Sequence, residues 1–422
     1  MIAQFVQEHL NDDTARLVLN RGKWPEIDID LAVNCIESRR KLKGKVQEWY
    51  DNPHLLFPLK LSAEQCSSSA TGAYKATYAN SIFEQTQPSD GSSKNRKMKI
   101  ADLTGGYGVD SWSFSKVADK VLYCEMLGIL CDAARHNFAA LGATNIQVEN
   151  ITISPECSYN LNIFKPDIIY LDPARRSETG KKVFLIEDCT PDVLTLKDML
   201  FKISRNILLK LSPMADINMV CERLGKHCRE VQVVAMGGEC KELLIWMDRE
   251  WADGYSITAI ELPNNYADTS GSLDLSGRYF HFTPSEEKDA ATIVATKDDI
   301  TQAQFLFEPG KALMKAGAFN SICQRFGPKK LGRSTHYYII GKESPLVGLG
   351  KTYKIISQTA LDKRSIKAAG QAYPKSEVTA RNIPMDTDTL RKKLGITSGD
   401  DAHIFGLKSD TAGNLLFICS RV

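Results

Sequence analysis

Ala101 to Asp110 reads ADLTGGYGVD. A short apolar strand, KIADLT, begins at Lys99, runs through Asp102, and gives way to a bend holding Gly105, Gly106 and Gly108. Glycine lets the backbone turn sharply and approach a ligand with no Cβ in the way. A strand, a glycine bend and a helix in that order open a nucleotide-type site in a parallel α/β sheet. The acid such a site needs stands at the end of the next strand. Glu125 closes KVLYCE twenty residues after Gly105, where a carboxylate can accept hydrogen bonds from both ribose hydroxyls of a nucleoside.

The bend does not suit a dinucleotide. The third glycine of GxGxxG is replaced by Ser111, and Asp102 would repel a pyrophosphate. A cationic, phosphate-free nucleoside fits the acid better, and S-adenosylmethionine, with a sulfonium and an amino group, meets that description. The plain alternative is a tight βα turn in a ligand-free sheet.

Outward from this stretch, short apolar runs alternate with helical patterns. KVLYCE, NIQVEN, DIIYLD and NILLKL read as strands, and ILCDAARHNFAALG reads as a helix capped at Gly142. Near-continuous Val, Ile and Leu in the strands indicates a parallel sheet covered on both faces. EVQVVAM and ELLIWMD, separated by GGECK, read as an antiparallel hairpin at the sheet edge. The fold class expected is α/β, a doubly wound Rossmann-like sheet with a helical N-terminal region and a small α+β C-terminal domain.

Four regions are expected: residues 1–97, helices and a linker; 98–252, the nucleoside-binding domain; 253–344, an intermediate α+β region; and 345–422, a C-terminal α+β module. LSAEQCSSSATGAYKATYANSIF reads as one long helix with a capping box at Ser62 and Gln65. QPSDGSSKNRK, Gln87 to Lys97, reads as the linker. SEVTARNI, DTDTLRKKLG, DAHIFGLKS and NLLFICSRV read as strand, helix, strand, strand.

The 422 residues are 43% hydrophobic and 25% charged, ordinary for a globular protein. Net charge is only +2, but its distribution is uneven. From Arg325 to Lys393, fifteen lysines and arginines face five acids, a local balance of +10. That asymmetry points to a basic recognition surface, with a solvated lysine-rich face as the plain alternative. Eleven cysteines without a CxxC give neither a zinc site nor a disulfide scaffold, so no metal is expected and a reducing cytoplasm is. The first residues do not form a signal peptide, and no apolar run approaches the ~20 residues of a membrane span.

DIIYLDPARR, Asp167 to Arg176, ends a strand at the side where open α/β sheets bind ligands. Asp172 and Pro173 are the candidate catalytic residues, orienting an acceptor nitrogen toward the methyl group. Arg175 and Arg176 are candidates for gripping phosphates, or for pairing with Glu178 or Glu187.

At these residues the chain resembles the class I S-adenosylmethionine-dependent methyltransferases. DLTGGYGVD resembles their first motif and DPARR their fourth. With LSAEQCSSSATGAYKA, KLSPMADI and GGECKELL added, it is similar to bacterial methyltransferases that carry a THUMP-like C-terminal domain. The resemblance implies a cofactor set of Asp102, Thr104, Gly105, Gly106, Gly108, Asp110, Glu125, Asn150, Thr152 and Asp172. It also implies an RNA substrate, tRNA or rRNA, met by Lys329, Lys330, Arg333, Lys363, Arg364, Lys367, Arg381, Arg391, Lys392 and Lys393, with Tyr337 and Tyr338 as possible stacking rings. Ala174 and Arg175 replace the usual aromatic residue after the fourth motif. Ser212-Pro213 stands where carbon-5 methyltransferases place a cysteine, so nitrogen methylation is expected. Cys189 and His136 are more readily structural than catalytic, and Gln65, Ser68 and Lys75 either lid the cofactor pocket or belong to a well-capped helix. The rival readings are an RNA-binding protein with a non-catalytic fold, and a methyltransferase for protein or a small molecule.

Overall fold

The structure, a computed structural model, describes residues 1–88, 96–154, 158–175, 185–266 and 275–422. The chain divides into two compact units. The first comprises Met1–Val231, Lys241–Gly254 and Pro263–Asp274, and the second Gln232–Cys240, Tyr255–Leu262 and Leu275–Val422.

The sheet of the first unit holds β1 (Lys99–Asp102), β2 (Lys120–Glu125), β3 (Ile146–Asn150), β4 (Ile168–Leu171) and β5 (Asn206–Leu211), all parallel. The hairpin arms β6 (Cys228–Met236), which passes into the second unit at Gln232, and β7 (Glu239–Asp248) follow, and within the first unit the order is β7-β5-β4-β1-β2-β3. The antiparallel arm β7 lies beside β5, pairing Leu211 with Leu243 and Asn206 with Asp248. All four residues of β4 are buried, because this apolar strand is covered on both faces.

The N-terminal helices share a core with this sheet. Phe5, Leu17, Ile36, Trp49 and Phe57 cluster with Tyr107, Trp112, Tyr123 and Phe138. Trp49 meets Trp112 edge-on at 6.0 Å, a favoured aromatic geometry. The segment expected as one long helix is two, Lys60–Gln65 and Ser69–Gln85. The capping box is Ser68 with Thr71, not Ser62 with Gln65. Serine side chains compete with the helix ladder for backbone groups, so the run Ser67-Ser68-Ser69 ends one helix and caps the next. Of the expected linker, residues 89–95 lie outside the described residues.

In the second unit, β8 (Ser256–Leu262) and β9 (Tyr279–Phe282) pair antiparallel. A seven-stranded sheet then forms from β10 (Phe305–Pro309), β11 (Lys329–Lys330), β12 (Tyr338–Ile340), β13 (Gly350–Ala360), β14 (Lys375–Arg381), β15 (Thr397–Ser409) and β16 (Gly413–Arg421). Its order is β11-β12-β10-β13-β16-β15-β14. Helices Lys363–Ala372 and Thr387–Leu394 pack together with Val378, Ile404, Leu416 and Ile418. A second cluster forms around Leu306, Tyr353, Phe405 and Phe417. Among the described residues, no helix is long and apolar enough to cross a membrane.

Candidate functional site

In the first unit a cavity of about 620 Å³ opens at the carboxyl ends of β1, β2 and β4, within the ~300–1,000 Å³ range of small-molecule sites. The loop after β1 builds its floor. Added Cβ atoms at Gly105 and Gly108 would lie 2.2 Å from the Tyr123 ring and 2.5 Å from Phe138. Gly108 also adopts φ +87°, which side-chain-bearing residues rarely do. The bend is therefore pressed onto β2 by residues that leave it no room for anything but hydrogen.

Glu125 is tied to this bend. Its Oε2 accepts the Gly106 amide at 3.0 Å and its Oε1 the Leu127 amide at 2.9 Å. A carboxylate oxygen offers two lone pairs, so both oxygens still have capacity toward the cavity they line. Asn150, a candidate cofactor contact, does not line the cavity. Its amide donates to the carbonyls of Glu125 and Met126, bracing the strand end. Thr152 does line it.

Asp102 is buried at 1% exposure, and both oxygens turn onto its own loop. Oδ1 accepts the Thr104 amide at 3.0 Å and Oδ2 the Ser111 hydroxyl at 2.6 Å. Burial pushes its pKa up to about 7, and the charge of Asp110 adds to the effect. Ser111, which breaks the dinucleotide pattern, is thus the partner of the strand-end acid. Thr104 uses its hydroxyl to accept the Asp172 amide at 2.6 Å, coupling the first loop to the fourth strand.

Asp172 and Ala174 line the cavity, with Pro173 buried between them. Lys210, the inner residue near the end of β5, forms an ion pair with Asp172 Oδ2. Burial opposes charge on Lys210, but Asp172, Glu242 and Asp110 outweigh it and hold the ammonium well above its usual range. Asp110 Oδ2 accepts Ser67 Oγ at 2.9 Å and the Tyr170 hydroxyl at 2.8 Å. Its Oδ1 lies 3.3 Å from Lys75 Nζ. Burial alone would raise the Asp110 pKa, but Lys75 and Lys210 turn the shift downward.

Lys75 does not lid the cavity. It is fully buried, with Nζ 2.9 Å from both oxygens of Glu242. Gln65 lines the cavity, whereas Ser68 caps its helix. GGECKE turns at Gly237 and Gly238, both at positive φ. The sequence reading missed Lys210 and the charge partners of Lys75. Their only signal was a lysine inside an apolar strand pattern and another inside a helix. Cys189 is buried and its thiol contacts the Leu185 carbonyl. Cys66, not singled out before, lines the cavity, and burial raises its thiol pKa. His136 contacts the His54 carbonyl at 2.8 Å.

The basic candidates of the second unit separate into two groups. Arg333, Lys363, Arg364, Lys367, Arg381, Lys392 and Lys393 are exposed. Lys330 is not available to a polyanion, since it is 2% exposed and bonds Asn320 at 3.2 Å. Lys329 pairs with Asp299 at 2.6 Å and Arg391 with Glu377 at 3.5 Å. Tyr337 and Tyr338 are buried and bond Glu308 and the Phe319 carbonyl, which excludes them as stacking platforms. Tyr338 opens β12, and Tyr337, just before it, packs into the cluster of Leu306, Tyr353, Phe405 and Phe417. Arg176, Glu178 and the Arg175 side chain lie outside the described residues.

Comparison with known proteins adds the following. Residues 305–344 match a family described as a ferredoxin-like domain, and residues 350–421 one described as THUMP domain-like. A crystal structure of a candidate methyltransferase from Porphyromonas gingivalis W83 is 28% identical, with a TM-score of 0.82. The match covers 100% of this chain and 97% of that one. An rRNA methylase from Streptococcus thermophilus is 9% identical, covering 41% of this chain and 94% of that one, at a TM-score of 0.29. An S-adenosylmethionine-dependent methyltransferase from Agrobacterium tumefaciens is 15% identical, covering 42% and 62%, at 0.30. Scores that low carry no further argument. No protein of curated function matches the sequence.

Proposed function

We propose that this chain, which joins a class I methyltransferase fold to a THUMP-like C-terminal domain, is an S-adenosylmethionine-dependent RNA methyltransferase. One observation carries the reading: the glycine bend, Glu125 and Asp172 line a single cavity at the carboxyl ends of adjacent parallel strands.

S-adenosylmethionine, when bound, supplies a methyl group already activated by its sulfonium charge. The residues here then need only bind and align. Glu125 has the lone pairs to accept ribose hydroxyls while its existing bonds hold it against Gly106. The close-pressed glycines let main chain form the wall beside the nucleoside. Thr152, Met126 and Leu127 complete the side near β3. Asp172, fixed by Lys210 and by the Thr104 hydroxyl on its own amide, presents a partly exposed carboxylate. A donor N–H on the acceptor can bond to it, and alignment of this kind is worth several kcal/mol. A nitrogen target is favoured because Cys66, the one cysteine among the described residues that line the cavity, has its thiol pKa raised by burial, and thiols are poor nucleophiles.

The RNA assignment draws on the THUMP-like match and on the exposed basic residues of the second unit. The protein is to be incubated with labelled S-adenosylmethionine and total RNA from a strain lacking it, and the label mapped. Label in an RNA nucleotide is the expected outcome. Label in protein alone would overturn the RNA assignment. RNA affinity should also fall steeply as salt rises, whereas affinity for a protein or small-molecule substrate should change little.

A further inference from the structure

Methyl transfer to a positioned nitrogen requires Asp172, but not the ladder of charges behind it. Lys75 reaches Glu242 and, at 3.3 Å, Asp110. Lys210 reaches Asp172, and its raised pKa has Asp172, Glu242 and Asp110 as its favourable causes. Among the described residues, two ammonium groups therefore serve these three carboxylates, and burial favours the protonated form of the neighbouring Asp102. Removing charge from water is costly unless it is matched, so a surplus carboxylate calls for a cation from elsewhere. The surplus falls on the most open of the three. Side-chain exposure is 33% for Asp172, against 11% for Asp110 and 3% for Glu242. Asp172 follows β4 and Glu125 ends β2, with β1 between them. Two strand spacings, about 10 Å, separate the carboxylate suited to a ribose from the one suited to a cation.

We propose that Lys210 is a specificity-determining residue: by neutralising part of this carboxylate cluster it holds the surplus at one negative charge, carried by Asp172, and so limits how strongly the site favours a cationic methyl donor over its neutral demethylated product. The inference rests on the cofactor reading above and extends it to product discrimination. A charge near the sulfonium at several ångströms and an effective dielectric constant of about 20 changes affinity by on the order of tenfold. Adding or removing one such charge should shift the affinity ratio by that much. The position next to Asp172 and the cluster behind Lys210 fix the sign of each change.

Calorimetry on the full chain with S-adenosylmethionine and S-adenosylhomocysteine tests this. Lys210→Met should raise the donor-to-product affinity ratio on the order of tenfold. Asp172→Asn should lower it by a similar factor. The double variant, which restores the original net charge, should return near the wild-type ratio. Loss of a merely structural contact would weaken both ligands together and would not give opposite signs that cancel. If Lys210→Met does not fold, as judged by its melting curve, Asp172→Asn and the charge-balanced double variant carry the test alone. An unmoved ratio, or both single variants shifting it the same way, overturns the assignment of Lys210 and leaves the cofactor reading standing. Wild-type protein that binds neither nucleoside overturns both.

Discussion

Lys75 and Lys210 in the first unit, and Lys363, Lys367, Lys392 and Lys393 in the second, are the same side chain in opposite settings. Lys75 is buried and Lys210 half-buried, and both are matched to carboxylates within one cluster. The other four stand exposed on helices Lys363–Ala372 and Thr387–Leu394. A buried ammonium arranges charge at short range and is insensitive to salt. An exposed one costs little to keep and is open to a polyanion. A protein can thus carry almost no net charge and still hold both a tuned cavity and a basic surface. What decides the role of each lysine is its environment, not its count.

That contrast can be broken at several points. The largest effect on binding is expected in the first unit at Gly105→Ala, whose Cβ would meet the Tyr123 ring at 2.2 Å. Overpacking against a buried ring should cost about 3 kcal/mol, and nucleoside binding should disappear in calorimetry.

Next comes pH. Asp102 has a pKa raised to about 7 from 3.8 because it is buried. Its protonated form is favoured in the fold, so its stabilising contribution is fully present below pH 4 and is lost as pH rises to 7. Asp102→Asn should remove that slope. Denaturant melts should show the variant near wild type at pH 4 and more stable at pH 8, by up to about 4 kcal/mol. Equal curves at both values would mean the acid is not titrating in this range.

Glu125→Gln, whose NH2 cannot accept one of the two amides that Glu125 holds, should lower stability by about 1–2 kcal/mol and weaken S-adenosylmethionine ten- to a hundredfold, about 2 kcal/mol for charge-assisted bonds. In the second unit, Lys363→Glu with Arg364→Glu and Lys367→Glu should lower RNA affinity roughly tenfold or more in filter binding and flatten its dependence on salt. The smallest effect sharpens the comparison from the other side. Lys330→Met replaces a buried lysine of the same unit and should leave RNA affinity unchanged.

The sheet was legible because its signals are local. Strand, glycine bend and spaced acid occupy Lys99 to Glu125, and each restricts the backbone through nearby atoms. Asp172 was legible from its place at a strand end. Lys210 was not, since its pairing with Asp172 depends on β5 lying beside β4. Nor was Lys75, whose partner Glu242 is 167 positions away. Composition exposed the basic segment but could not sort Lys330, folded inward, from Arg333, left outside. The break at Ser68 was hidden by flanks that are each good helix formers.

The tie between Lys75 and Glu242 bears on where this protein can be cut. A fragment starting at Met98 retains every strand of the catalytic sheet, yet it loses the ammonium that Glu242 and Asp110 face from the neighbouring helix. It also loses Gln65, Cys66 and Ser67 from the cavity wall. Two acids would lose half their counter-charge, and the apolar residues Tyr107, Trp112, Tyr123 and Phe138 would lose the N-terminal side chains packed on them. Trimming the N-terminal helices to obtain a minimal enzyme should therefore give insoluble material rather than a smaller catalyst.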